Sequence, residues 1–204
     1  MKFYSQAEPG RIIKIFNKSD LIKKDVIVIG PGLGKSFKSK KLLEILDLFH
    51  GPKILDADAI SIFENKKKQF LKFLLKQKNI ILTPHTGEFK RVFNYCKKLS
   101  KINNCLIASK QINNCILLKG NDTVIAFPNE NIWINNLANQ NLATAGSGDV
   151  LCGIIAGLLA QKMTIEDALP TSLFIQSKIS KSKKNVVMED FIGEIPTAIN
   201  SLKK

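Results

Sequence analysis

Four short runs of apolar, largely β-branched residues recur along the chain, and each flows into a glycine- or aspartate-bearing turn followed by a helical pattern. The runs are 26–29, 54–55, 80–82 and 115–118. A strand that is apolar at every position must be buried on both faces, which requires a mostly parallel sheet with helices above and below it. The helical segments fit that layout. After a cap at Ser36, Leu42, Leu43, Leu46 and Phe49 share one face, and Gly51-Pro52 stops the helix near His50. Further helices are expected around 70–75, through Phe89 and Val92, over 150–161 and from Thr164 with Asp167. Runs 123–127 and 132–134 flank Pro128-Asn129-Glu130-Asn131 and predict a hairpin. A near-repeat of Ile-Asn-Asn-Cys at 102–105 and 112–115 is too short to bury a core by stacking and is read as coincidence.

A length of 204 residues suits one domain over 1–204. No run approaches the roughly 18 apolar residues that a bilayer crossing needs. Glu8, Pro9 and Gly10 interrupt the place where a secretion signal would be continuous, so a cytoplasmic protein is expected. Cys96, Cys105, Cys115 and Cys152 have neither metal-knuckle nor redox-pair spacing and are expected to be free thiols. The net charge of +14 invites a nucleic-acid reading. Against it, arginine occurs only at 11 and 91, the lysines are scattered, and stacking aromatics are not interleaved with them. No nucleic-acid partner is expected.

In parallel sheets ligands gather at the carboxyl ends of the strands, and every distinctive turn falls at such an end. The strongest is Ala145-Gly146-Ser147-Gly148-Asp149, opening the long apolar helix. Converging N–H groups of Gly146, Ser147 and Gly148 form a candidate anion hole. Asp149 is then a candidate base for an alcohol proton, or simply a cap for the helix. Lys119-Gly120 ends a buried strand, where its ammonium could collect phosphates or remain a solvated charge. There is no Walker-type loop. His85, set between Pro84 and Gly87, is fixed at a strand end and suits proton shuttling or substrate orientation; Glu88 begins the next helix, and no metal site is expected there. The Gly30-Pro31-Gly32-Leu33-Gly34 turn signals a close backbone approach to a ligand, without the spacing of the dinucleotide fingerprint.

Taken together, Val28-Ile29-Gly30-Pro31-Gly32-Leu33-Gly34, Leu55-Asp56-Ala57-Asp58-Ala59, Leu82-Thr83-Pro84-His85-Thr86-Gly87-Glu88, the stretch 118–126 and the stretch 143–161 resemble the ADP- or ATP-dependent NAD(P)H-hydrate dehydratases, a carbohydrate-kinase-related family. The resemblance covers about residues 26–195. It implies a ribokinase-like three-layer sandwich and a lyase that repairs the S form of hydrated NADH or NADPH. The nucleotide would phosphorylate the ring hydroxyl before phosphate leaves, with Mg²⁺ assisting. Carried over by motif, Asp149 is the catalytic base and a substrate contact. Lys119, Gly120, Asn121, Asp122, Thr123 and Gly148 surround the nucleotide, while Gly32, Gly34 and His85 face the nicotinamide.

This sequence departs from the family pattern in two places. Family members ordinarily carry a longer stretch ahead of the first matched motif, including a glycine-rich strand, turn and helix, so an N-terminally truncated version of the fold is expected. A homo-oligomer or a partner chain would then complete the sheet. Ala138-Asn139-Gln140-Asn141 replaces a Gly-Asn-Pro-Gly segment, and Gln176 stands where histidine is common. A small-molecule kinase of the same fold and an inactive truncated remnant are the alternatives.

Overall fold

The computed structural model describes residues 21–34, 39–136, 146–182 and 188–201. Among these residues six strands form one sheet in sequence order: β1 (Ile27–Ile29), β2 (Lys53–Leu55), β3 (Ile80–Leu82), β4 (Cys115–Leu118), β5 (Thr123–Ala126) and β6 (Ile132–Asn135). The first four are mutually parallel, with Ile54 opposite Val28 and Ile81, and Leu82 opposite Ile116. β5 and β6 run antiparallel as the expected hairpin, pairing Leu117 with Ile125 and Ile125 with Trp133.

Alternation along the buried strands divides their side chains between two cores. Ile54, Ile81, Cys115, Leu117 and Ile125 face one side, where they meet α6 (Ser147–Ala160), α7 (Ile165–Ser182) and α8 (Met188–Asn200). Leu55, Leu82, Ile116, Leu118 and Val124 face the other side. There they pack on α1 (Ser39–Leu48), α2 (Asp58–Ser61), α3 (Lys67–Lys76), α4 (Thr86–Val92) and α5 (Lys101–Ile112). Every residue of β2 to β5 is buried, which is the reason these strands read as unbroken apolar runs. The three-layer arrangement and the mostly parallel sheet agree with the expectation.

One local reading needs correction. His50 lies beyond the end of α1, not within it. The near-repeat takes two different structures: its first copy lies in α5, and the cysteine of its second copy opens β4. In α5 the Asn104 side chain is buried and closes the preceding loop through Cys96 and Leu99. Asn114 bridges Ile80, Leu74 and Gln77 ahead of β4. Tertiary partners, not the local tetrapeptide, decide the outcome. The cap expected at Ser36 and the Ala138-Asn139-Gln140-Asn141 segment lie outside the described residues, as do Ala143 to Ala145 ahead of the candidate anion hole.

Candidate active site

The turns that follow β1, β2, β3 and β4 all lie along one edge of the sheet. Backbone pairing continues past the strand ends and holds them in register: Asp56 N–H donates to the Ile29 carbonyl at 3.0 Å, Thr83 N–H to that of Leu55 at 3.0 Å, and Lys119 N–H to that of Pro84 at 2.8 Å. The last of these sets Lys119 beside His85.

At the end of β2 the chain turns sharply at Ala57, whose φ of 45° is in the left-handed region. The two flanking acids are thereby sent to different partners. Asp58 accepts the Gly34 N–H at 2.9 Å, which ties the turn after β1 to the start of α2. Asp56 is 2% exposed and accepts from the Lys119 ammonium at 2.7 Å. Its second oxygen lies 3.6 Å from Sγ of Cys152 on α6, and that sulfur is also 3.7 Å from the Thr83 hydroxyl. Burial, with the Asp56 charge second, pushes the Cys152 thiol up to about 12, so it sits here as a neutral weak donor.

α6 descends on this pair. Gly146 is its N-cap with φ of 87°, a conformation that favours glycine, and no side-chain cap bond is present among the described residues. Asp149 lies inside the first turn, where its charge is complementary to the helix dipole, so it does not fill the N-cap position. Gly148 is the point of contact with the strand ends: a β-carbon there would stand 3.3 Å from the Lys119 ammonium nitrogen and 3.5 Å from Asp56 Oδ2. The Ser147 carbonyl accepts from the Gln176 side chain at 2.8 Å, which fixes the turn to α7. Asp149 is exposed and stands at one end of a groove of about 430 Å³ whose walls include Gly153 and Gly157 of α6 and Ile192 and Ile195 of α8.

The remaining candidate residues are arranged around this centre. Thr123 is buried and spends its hydroxyl on the Gly120 carbonyl at 3.0 Å, closing the turn between β4 and β5. Asp122 is paired with Lys101, whose ammonium holds its carboxyl below the usual carboxylate range. Asn121 is exposed. His85 Nδ1 accepts from the N–H groups of Gly87 at 2.9 Å and Glu88 at 3.3 Å, and Glu88 returns a bond to the His85 N–H, a complete capping box at the start of α4. The His85 side chain is about half exposed, and its Nε2 lies 3.4 Å from Glu88 Oε1. Gly32 has open space where a side chain would stand.

Sequence reasoning missed two partners here. In the sequence Asp56 stands out only as part of the stretch Leu55-Asp56-Ala57-Asp58-Ala59, and Lys101 is not singled out. The first carries a usable signal, since its position at a strand end is shared with Lys119. Within the Gly30–Gly34 turn, Gly30 itself lies against the Asp56 carbonyl of this same chain.

A family model described as NAD(P)H-hydrate dehydratase matches residues 7–196. Over 194 residues the chain is 37% identical to the bifunctional NAD(P)H-hydrate repair enzyme Nnr of Moorella thermoacetica, covering 90% of this chain and 36% of that protein. It superposes on a ribokinase-like superfamily protein of Enterococcus faecalis with a TM-score of 0.76 and 28% identity, covering 90% of this chain and 66% of that one. An ADP/ATP-dependent NAD(P)H-hydrate dehydratase of Bacillus subtilis, co-crystallised with ATP and Mg²⁺, gives 0.70 and 25% identity over 90% and 69% of the two chains. These superpositions make the three-layer fold ribokinase-like. The chain spans about a third of the length of the curated repair enzymes it matches.

Proposed function

The chain belongs to the NAD(P)H-hydrate dehydratase family, and on that premise we propose that it restores the S form of hydrated NADH or NADPH by dehydration driven by ADP or ATP. The observation that carries the reading is the approach of the Lys119 ammonium to Gly148, 3.3 Å from where a β-carbon there would stand, one residue from an exposed Asp149.

Each residue then has a distinct task. Asp149 takes the proton of the ring hydroxyl as its oxygen attacks the terminal phosphorus of the nucleotide. The bond from that phosphorus to the departing AMP or ADP breaks. The Lys119 ammonium and the N–H groups of Gly146, Ser147 and Gly148 offset the charge that spreads over the phosphoryl oxygens. Hydroxide is a poor leaving group and phosphate a good one. The ring nitrogen's lone pair therefore expels inorganic phosphate, and loss of a proton from the neighbouring carbon restores the reduced ring. Gly120, Asn121, Asp122 and Thr123 border the nucleotide, and Gly32, Gly34 and His85 face the nicotinamide.

Among the described residues no three His, Cys, Asp or Glu side chains come together as a metal cage. That fits Mg²⁺, which binds largely through phosphates and water. The ion would ride on the nucleotide, supplying charge neutralisation.

Cytoplasmic placement belongs to the same reading. It is supported by four free cysteines and by the absence, among the described residues, of a helix long and apolar enough to cross a membrane. A second copy or another chain beside β1 is also part of it, supported by the pairing of β1 on one side only among the described residues and by the exposure of Val28.

The test supplies purified protein with ADP or ATP, Mg²⁺ and hydrated NADH. Inorganic phosphate and the absorbance of the reduced cofactor should appear together, and Asp149→Asn should abolish both while the protein stays folded. A stable phosphorylated product would assign a kinase instead. Absence of turnover from folded protein would leave the chain a remnant.

A further inference from the structure

We propose that Asp56 is a positioning residue for the phosphoryl-transfer step: its carboxylate fixes the Lys119 ammonium against the Gly148 turn, where the transferring phosphoryl group is to lie. The inference rests on the nucleotide-dependent reading of the site given above.

Three observations carry it. The first is reach. Asp56 leaves β2 and Lys119 leaves β4, so the ion pair crosses the end of β3, and its 2.7 Å length sets the ammonium at one point above the sheet edge. A lysine side chain has four rotatable carbons and retains no such position unaided. The second is the location of that point. A β-carbon on Gly148 would press on the ammonium nitrogen at 3.3 Å and meet Asp56 Oδ2 in ordinary contact at 3.5 Å, so the pair as a whole, not the lysine alone, forms the floor beneath the first turn of α6.

The third is the bonding capacity left over. Asp56 is the acceptor for the Lys119 ammonium among the described residues, so two of the three ammonium protons remain for phosphoryl oxygens. On its other side the carboxylate meets the Cys152 thiol, a donor too weak to draw it away from the lysine. Asp56 is buried beneath these groups and meets no substrate itself. It acts through Lys119.

The experiment is a double-mutant cycle of D56N, K119M and D56N/K119M. It is read as kcat, as KM for hydrated NADH and as calorimetric affinity for ADP, at a temperature where melting curves show every variant folded. D56N should lower kcat about a hundredfold, in the range for loss of one preorganised donor, with hydrate KM unchanged within about twofold. In the K119M background, D56N should have no further effect on kcat or on ADP affinity. If the two losses multiply in the double variant, or if D56N lowers Tm while leaving the kinetic constants of the folded protein intact, the positioning role is wrong and Asp56 is structural.

D56E replaces D56N in the cycle if the latter does not fold. It keeps the charge but moves it by one methylene, so it should also lower kcat in the presence of Lys119 only. Wild-type protein that binds ADP without turnover would sink the dehydratase reading, and the ADP-affinity cycle would still decide the role of Asp56. Wild-type protein that neither turns over nor binds ADP overturns both.

Discussion

The backbone of Asp56 occupies the space that a side chain on Gly30 would need. A β-carbon there would overlap the Asp56 carbonyl oxygen and come within 2.7 Å of its carbonyl carbon, and the φ of 132° is itself one that L residues rarely adopt. Gly30→Ala should therefore destabilise the protein by about 3 kcal/mol or more, through a contact that cannot relax without moving β2. Urea denaturation against wild type checks this, and a loss below about 1 kcal/mol would show that the two turns are not pressed together. Gly148→Ala is the contrasting case. Its nearest neighbour would be a side-chain end, the Lys119 ammonium nitrogen at 3.3 Å, which need give only slightly and moves no backbone, so the fold should survive.

The capping box gives His85 a role in stability separable from any contact with substrate. His85→Ala should cost about 1 kcal/mol, in line with loss of an N-cap, while His85→Asn, a strong N-cap residue, should recover most of it. Thermal melts of the two variants decide the matter. Equal losses would mean that the ring, not the accepting nitrogen, is what α4 needs.

Burial pushes the thiols of Cys105, Cys115 and Cys152 up to about 12, whereas Cys96 is exposed. Since the thiolate is the reactive form, a disulfide reagent at neutral pH should modify one thiol rapidly in folded protein and all four in denaturant. A Cys96→Ser variant should show no rapid phase. Fast reaction at Cys152 would place it in solvent and undo the account of the floor beneath α6.

Lys53 opens β2 as a buried side chain, with its ammonium 3.3 Å from the Lys78 carbonyl. Burial holds its pKa below the ordinary lysine value, and the Asp47 charge only partly offsets this. The unfolded chain therefore binds that proton more tightly than the folded one, so stability rises with pH between the lowered folded value and about 10.4. Lys53→Met should raise Tm by a few degrees at pH 7, and the gain should shrink as pH approaches 10. A gain that does not change with pH would trace to packing alone.

How legible these features were depends on how local their causes are. Strands β2, β3 and β4 were readable because burial on both faces leaves an apolar run and nothing else fits it. The Gly146 to Asp149 turn was readable because its glycines have few other uses. α5 was not, since Lys101 to Ile112 carries two asparagines and little amphipathic pattern, and Asn104 earns its place through a loop it closes from within the helix. α8 was not expected either, since Gly193 and Pro196 within it are poor helix formers. The Asp56 to Lys119 pair joins residues 63 positions apart, and no local pattern records that the ends of β2 and β4 meet across β3.

The strand order has a temporal consequence. Because the sheet runs β1 to β6 without a strand inserted between earlier ones, each new strand can join an edge that has already been synthesised. During translation the strand ends that carry Asp56 and Lys119 leave the ribosome before α6, so the Gly146 to Asp149 turn would dock onto a sheet edge already laid down, ahead of α7 and α8.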